Sequence, residues 1–134
     1  LVGAFLIARA EAVQAVGGLD ERFFLYSEET DWCYRARAAG WEVRHLPQMI
    51  VTHHTTPSTR PDLVAQLSYA KLLFARKHYR YGPRAAIRAA LAIRHLLRVL
   101  GLALRLPSRR PGGRLAAERR ALAVVTGVAS PPFG

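Results

Sequence analysis

With 134 residues the chain is long enough for one modest domain, and a hydrophobic content of 51% is ample for a core. Its single cysteine, Cys33, excludes an intrachain disulfide and a cysteine metal cage, and fits a reducing compartment. The net charge of +11 is uneven: residues 1–60 hold six Arg against seven Asp/Glu, whereas residues 61–134 hold fourteen Lys/Arg against two acids. The near-neutral half is therefore expected to carry chemistry and the basic half to face an anionic surface.

Gly3–Ile7 is a short apolar run of the buried-strand kind. With Leu1 and Val2 it reads as a strand already inside a core, so the chain is expected to be a piece of a longer protein. Ala8–Val16 is predicted helical, and Gly17-Gly18 ends it because glycine takes a left-handed cap without steric cost. A loop, Leu19–Arg22, leads into the aromatic cluster Phe23-Phe24-Leu25-Tyr26. Ser27 is then the predicted N-cap of a helix from Glu28 to Ala39, closed by Gly40. Trp41–Leu46 alternates apolar and polar residues as a strand does, Pro47 breaks it, and Met49–Val51 begins another. His53–Pro61 has the composition of a loop. Helices are predicted from Asp62 to about Tyr81, from about Arg84 to Leu106 and from Leu115 to Val125. Gly82-Pro83 and the Pro/Gly/Arg stretch Pro107–Gly113 are the boundaries, and Pro131–Gly134 is read as a frayed end.

Three carboxylates, Glu28, Glu29 and Asp31, fall within four residues at a predicted helix start. The plain reading is a first turn made acidic to suit the helix dipole. Their place between an aromatic loop and Trp32 sets these charges beside apolar surface. A helix N-terminus also favours the ionised carboxylate that a general base requires. Arg35, one turn beyond Asp31, is placed to pair with it. The adjacent histidines His53-His54 have a plain reading too, as solvated loop residues. Neighbours on an extended segment point opposite ways and do not normally share a metal.

The run Gly3–Ile7, then Val16-Gly17-Gly18-Leu19-Asp20-Glu21-Arg22-Phe23-Phe24-Leu25-Tyr26, then Glu28-Glu29-Thr30-Asp31-Trp32-Cys33-Tyr34-Arg35, then Gly40-Trp41, resembles family 2 glycosyltransferases of the GT-A fold, rhamnosyltransferase-like members above all. The likeness covers residues 1 to about 60 and continues loosely to about 81. It implies an α/β fold, the C-terminal, acceptor-side part of a Rossmann-like GT-A domain over residues 1–60, and the residue pattern adds a helical extension over 61–106 and a basic linker, short helix and flexible tail over 107–134. The nucleotide-binding half would lie upstream, so this piece alone is expected to be inactive.

The resemblance also implies an activity, inverting transfer from a nucleotide-diphosphate sugar to a hydroxyl of a glycan or lipid-linked acceptor in cell-surface polysaccharide synthesis. Glu29 matches the catalytic base, although the family usually has Asp there. Glu28, Asp31 and Trp32 are the expected acceptor-binding residues, Asp31 as an acceptor-orienting or a structural acid. Pro47 through Ser58 resembles the family's Pro–His loop, in which His53 would bind a divalent metal, Mg2+ or Mn2+, or the donor diphosphate. Thr55, Ser58 and Arg60 are the expected diphosphate contacts; Thr55-Thr56 stands where the family often has Gly-Gly.

In the basic half, at 100° per residue, Arg84, Arg88, Arg94, His95, Arg98 and Arg105 fall in an arc of about 120°. The rest of that helix is Ala, Ile, Leu, Val and Gly101. A wide apolar face beside a narrow arginine stripe suits a helix lying on an anionic membrane, and its uncharged runs are too short to span one. The expected location is cytoplasmic, peripheral at the inner face of the cell membrane. The competing reading buries the apolar face on the catalytic domain. Arg109-Arg110, Arg114 and Arg119-Arg120 extend the charge, but no nucleic-acid motif accompanies them, and no nucleic-acid partner is expected. The alternative function is a non-catalytic basic module binding membrane or nucleic acid; the acidic motif and histidine loop at family offsets argue for the enzyme.

Overall fold

The computed structural model describes residues 5–54, 61–104 and 112–133. The chain divides into two units, Leu1–Thr56 and Pro57–Gly134.

The first unit is built on two helices, α1 (Ala10–Val16) and α2 (Glu28–Ala38). Ala12, Trp32, Cys33 and Ala36 are buried between them, with Val16, Trp41 and Val43 packed against the cluster. Gly17 closes α1 at φ 80° through a bond from its N–H to the Val13 carbonyl. Gly40 closes α2 at φ 88°: the Trp41 N–H donates to Ala36 O at 2.9 Å and the Gly40 N–H to Arg37 O at 3.0 Å. This is a Schellman motif, and it requires the left-handed conformation that glycine adopts freely. Both sequence-predicted stops therefore stand.

The predicted strands do not appear: among the described residues all regular structure is helical. Residues 5–9, 41–46 and 49–54 run without regular structure, and a turn at Pro47 is closed by the Met49 N–H on Leu46 O at 3.2 Å. A strand is defined by its ladder of hydrogen bonds to a neighbour, and these segments find no such neighbour among the described residues. Their apolar side chains, Phe5, Leu6, Ile7, Leu46, Met49 and Val51, are exposed around a hollow of about 740 Å³ floored by Ala12, Trp32, Cys33 and Ala36.

The second unit contains α3 (Pro61–His78), α4 (Tyr81–Leu104) and α5 (Gly112–Thr126). The Gly82-Pro83 boundary falls inside the first turn of α4, where proline's missing N–H costs nothing. α5 packs along both α3 and α4 and is the central element of the unit. Ala117, Ala121, Val124 and Val125 recur at helical spacing and are all buried. Ala65, Ala121 and Val124 form one apolar cluster; Leu72, Leu91 and Val125 form another. After Thr126, the Val128 and Ala129 N–H groups both return to Ala123 O.

A buried polar chain ties the three helices together. Ser68 Oγ on α3 lies 2.8 Å from His95 Nε2 on α4, and His95 Nδ1 lies 2.5 Å from Glu118 Oε2 on α5. Arg98 Nη1 donates to the other Glu118 oxygen at 2.9 Å. His95, counted in the sequence with the arginine stripe, is thus fully buried, because it bridges Ser68 on α3 and Glu118 on α5. The serine–histidine–carboxylate order resembles a nucleophilic triad, but Ser68 is buried within a helix and its hydroxyl also lies 3.3 Å from Val64 O. The group is structural.

Removing Glu118 strands a buried imidazole N–H, and Glu118→Ala is expected to lower unfolding free energy by about 1–3 kcal/mol in urea melts followed by circular dichroism. Ser68→Ala removes the weaker end and should cost about 1 kcal/mol or less. Equal, negligible losses in both variants would show that the chain does not hold the helices. A second expectation concerns Cys33, whose thiol burial pushes above its ordinary value. Thiolate-directed alkylation at neutral pH should run at least about tenfold slower in the folded chain than in urea; equal rates would contradict the packing.

Candidate active site

The acidic motif sits at the start of α2, and the chain enters it under strain. Tyr26 and Ser27 adopt φ 71° and φ 70°, and they are the two non-glycine residues of positive φ among those described. Left-handed backbone costs an L-residue about 1–2 kcal/mol, and two in succession mark a segment whose path is imposed by its surroundings. Ser27 occupies the N-cap position but makes no side-chain cap bond, because its left-handed backbone differs from the extended geometry in which a serine caps. The first turn of α2 keeps its positive helix end facing Glu28 and Glu29.

What holds that turn in place comes from further along α2. Asp31 is completely buried, and Arg35 Nε donates to its Oδ2 at 2.9 Å. The same guanidinium donates through Nη1 to Val16 O at 2.6 Å and through Nη2 to Gly18 O at 2.7 Å. Between these, the Trp32 indole N–H donates to Gly17 O at 2.8 Å. Three successive carbonyls where α1 ends are thus taken by two side chains of α2. The i,i+4 pair Asp31–Arg35 was legible in the sequence; the carbonyl partners were not, since they lie fifteen to nineteen residues away. Upstream, Asp20 holds Arg22 through both Nε and Nη2. That hydrogen bond, reinforced by the charge on Asp20, raises the Arg22 guanidinium further.

The sequence-predicted site residues separate into groups. Glu28 and Glu29 are half-buried neighbours in the first turn. Glu28 Oε2 is buried and has no hydrogen-bond partner among the described residues, and such an oxygen calls for an explanation. Asp31 and Trp32, expected on the acceptor side, lie inside the α1–α2 packing, where Asp31 Oδ2 accepts from Arg35 and the Trp32 indole N–H donates to Gly17 O. His53 and His54 are exposed on the irregular segment after Val51. Thr55, Ser58 and Arg60 lie outside the described residues. The described residues contain no group of three His, Cys, Asp or Glu side chains able to hold a metal ion. His53 offers one imidazole, and one ligand does not make a divalent-cation site.

Residues 1–108 match the family "Glycosyl transferase family group 2". N-acetylglucosaminyl-diphospho-decaprenol L-rhamnosyltransferase of Mycobacterium tuberculosis, strains CDC 1551 and H37Rv, is 36% identical over 105 residues, covering 72% of this chain and 34% of that protein. O-antigen biosynthesis protein RfbC of Myxococcus xanthus is 30% identical over 69 residues, covering 52% of this chain and 5% of that protein. The chain therefore spans about a third of the length of the mycobacterial relatives. No solved structure matches. With the match running through both helices of the first unit and all of α3 and α4, the chain belongs to glycosyl transferase family group 2.

Proposed function

We propose that this chain supplies the acceptor side of an inverting glycosyltransferase that uses a nucleotide-diphosphate sugar. The observation that carries the reading is the start of α2: a strained entry at Tyr26-Ser27, two adjacent half-buried carboxylates, and a buried Glu28 oxygen with no hydrogen-bond partner among the described residues. Glu29 takes the proton of an acceptor hydroxyl as that oxygen attacks the anomeric carbon. The bond from that carbon to the diphosphate breaks, and the nucleoside diphosphate leaves from the opposite face. Glu28 Oε2 accepts a hydrogen bond from the acceptor, which satisfies it. Asp31 and Trp32 act as positioning residues through Arg35 and Gly17. Glu29 in place of the family's usual Asp reaches about one ångström further, enough to change acceptor fit.

Relatives named for rhamnosyl transfer onto a diphospho-decaprenol carrier and for O-antigen biosynthesis support a lipid-linked or glycan acceptor in cell-surface polysaccharide synthesis. His53 with Thr55, Ser58 and Arg60 is proposed to contact the donor diphosphate. Mg2+ or Mn2+ is the proposed cofactor; His53 would be this chain's ligand, and the metal would stabilise the departing diphosphate.

In the intact transferase, Glu29→Gln is expected to lower kcat by about 10²–10⁴-fold, with little change in the acceptor KM; near-normal transfer would refute the assignment. His53→Ala should weaken apparent metal or donor affinity in a titration, and an unchanged affinity would remove His53 from the site.

A further inference from the structure

α4 presents an apolar strip to the outside of its unit. Ile93, Leu96, Leu97, Leu100 and Leu104 are all exposed, Leu97 at 63% and Leu104 at 79%. At 100° per residue these five fall within an arc of about 100°. The opposite side of the helix carries Leu91 and His95, both buried, and Arg98, which reaches Glu118. The arginine side is therefore partly the packed side, and the apolar side is the free one, the reverse of an ordinary surface helix.

The polar residues flanking the strip are cationic. Arg94 lies about 60° beyond one edge and Arg88 about 80° beyond the other, and both are exposed. α4 contains no acidic residue, and residues 61–134 carry fourteen Lys/Arg against two acids. No helix among the described residues is long and apolar enough to cross a membrane.

We propose that this strip is a docking face for an anionic lipid surface. The helix lies in the interfacial plane with Ile93, Leu96, Leu97, Leu100 and Leu104 inserted, while Arg88 and Arg94 extend to headgroup phosphates on either side. The Ser68–His95–Glu118 chain and the Arg98–Glu118 pair fix the rotation of α4 so that the leucines, rather than the arginines, face outward. A bilayer fits better than a second copy of the chain. Pairing two such faces would bring two sets of arginines together, whereas an anionic bilayer attracts them.

The test is vesicle flotation of the whole chain, which needs no transferase activity and so fails or succeeds independently of the proposed reaction. Flotation is expected with phosphatidylcholine vesicles containing phosphatidylglycerol at low salt, and much less with phosphatidylcholine alone. Leu97→Glu with Leu100→Glu should abolish it while helical circular dichroism is retained. Arg88→Gln with Arg94→Gln should weaken binding to the anionic vesicles by on the order of tenfold. Absence of flotation with either vesicle would overturn the proposal. So would a lipid-free dimer, seen by sedimentation velocity and abolished by the leucine substitutions, in a chain that does not float.

Discussion

Arg35 joins a buried carboxylate to the end of another helix, and the order of the first unit follows from that contact. Asp31 has no solvent to stabilise its charge, and an isolated buried carboxylate is costly. The guanidinium offers a planar set of donors wide enough to bond Asp31 and two carbonyls at once. With Arg35 on Val16 and Gly18 and Trp32 on Gly17, the end of α1 cannot slide or turn against α2. That restraint explains how Tyr26 and Ser27 can stay left-handed: both ends of the intervening loop are fixed, and the loop takes the path that remains. The carboxylates on the first turn of α2 inherit their place from this arrangement.

The second unit uses the same device with different partners. Glu118 is one of two acids among residues 61–134, and it is placed between His95 and Arg98, where it neutralises part of a strongly basic surface. Alanines at the helix contacts let α5 approach α3 and α4 closely, and the polar chain then selects one rotation of α4 from those the small residues would permit. A single rotation decides whether the leucines of α4 are buried or presented, so a few buried polar atoms control the character of the unit's surface.

Local chemistry was legible in the sequence wherever it depends on neighbours along the chain. Gly17 and Gly40 announced their helix stops, the five helices were readable from residue propensity, caps and Pro/Gly boundaries, and Asp31–Arg35 was readable from its spacing. The family was legible as well, because its motif fixes many residue types at fixed offsets. Properties that depend on distant partners were not. The alternation in Trp41–Leu46 gives the side chains a strand's pattern, but hydrogen-bonded pairing needs a neighbour that no local rule supplies. His95 falls within the arginine arc of α4, and only the positions of Ser68 and Glu118 show it to be interior. Ser27 has the right identity for an N-cap, yet its backbone angle is imposed from outside the helix. Asp31 and Trp32 belong to the family motif, but membership of a motif does not distinguish a side chain that touches a ligand from one that holds the frame.

The order of the first unit depends on Asp31 and Arg35 acting as one element, and a double-mutant cycle measures that directly. Unfolding free energies of the parent, Asp31→Ala, Arg35→Ala and the double variant give the coupling between the two side chains. A buried, hydrogen-bonded pair should couple by about 1–3 kcal/mol, with the double variant losing much less than the sum of the singles. A coupling within about 0.3 kcal/mol of zero would contradict the clamp and the placement of the acidic turn that depends on it.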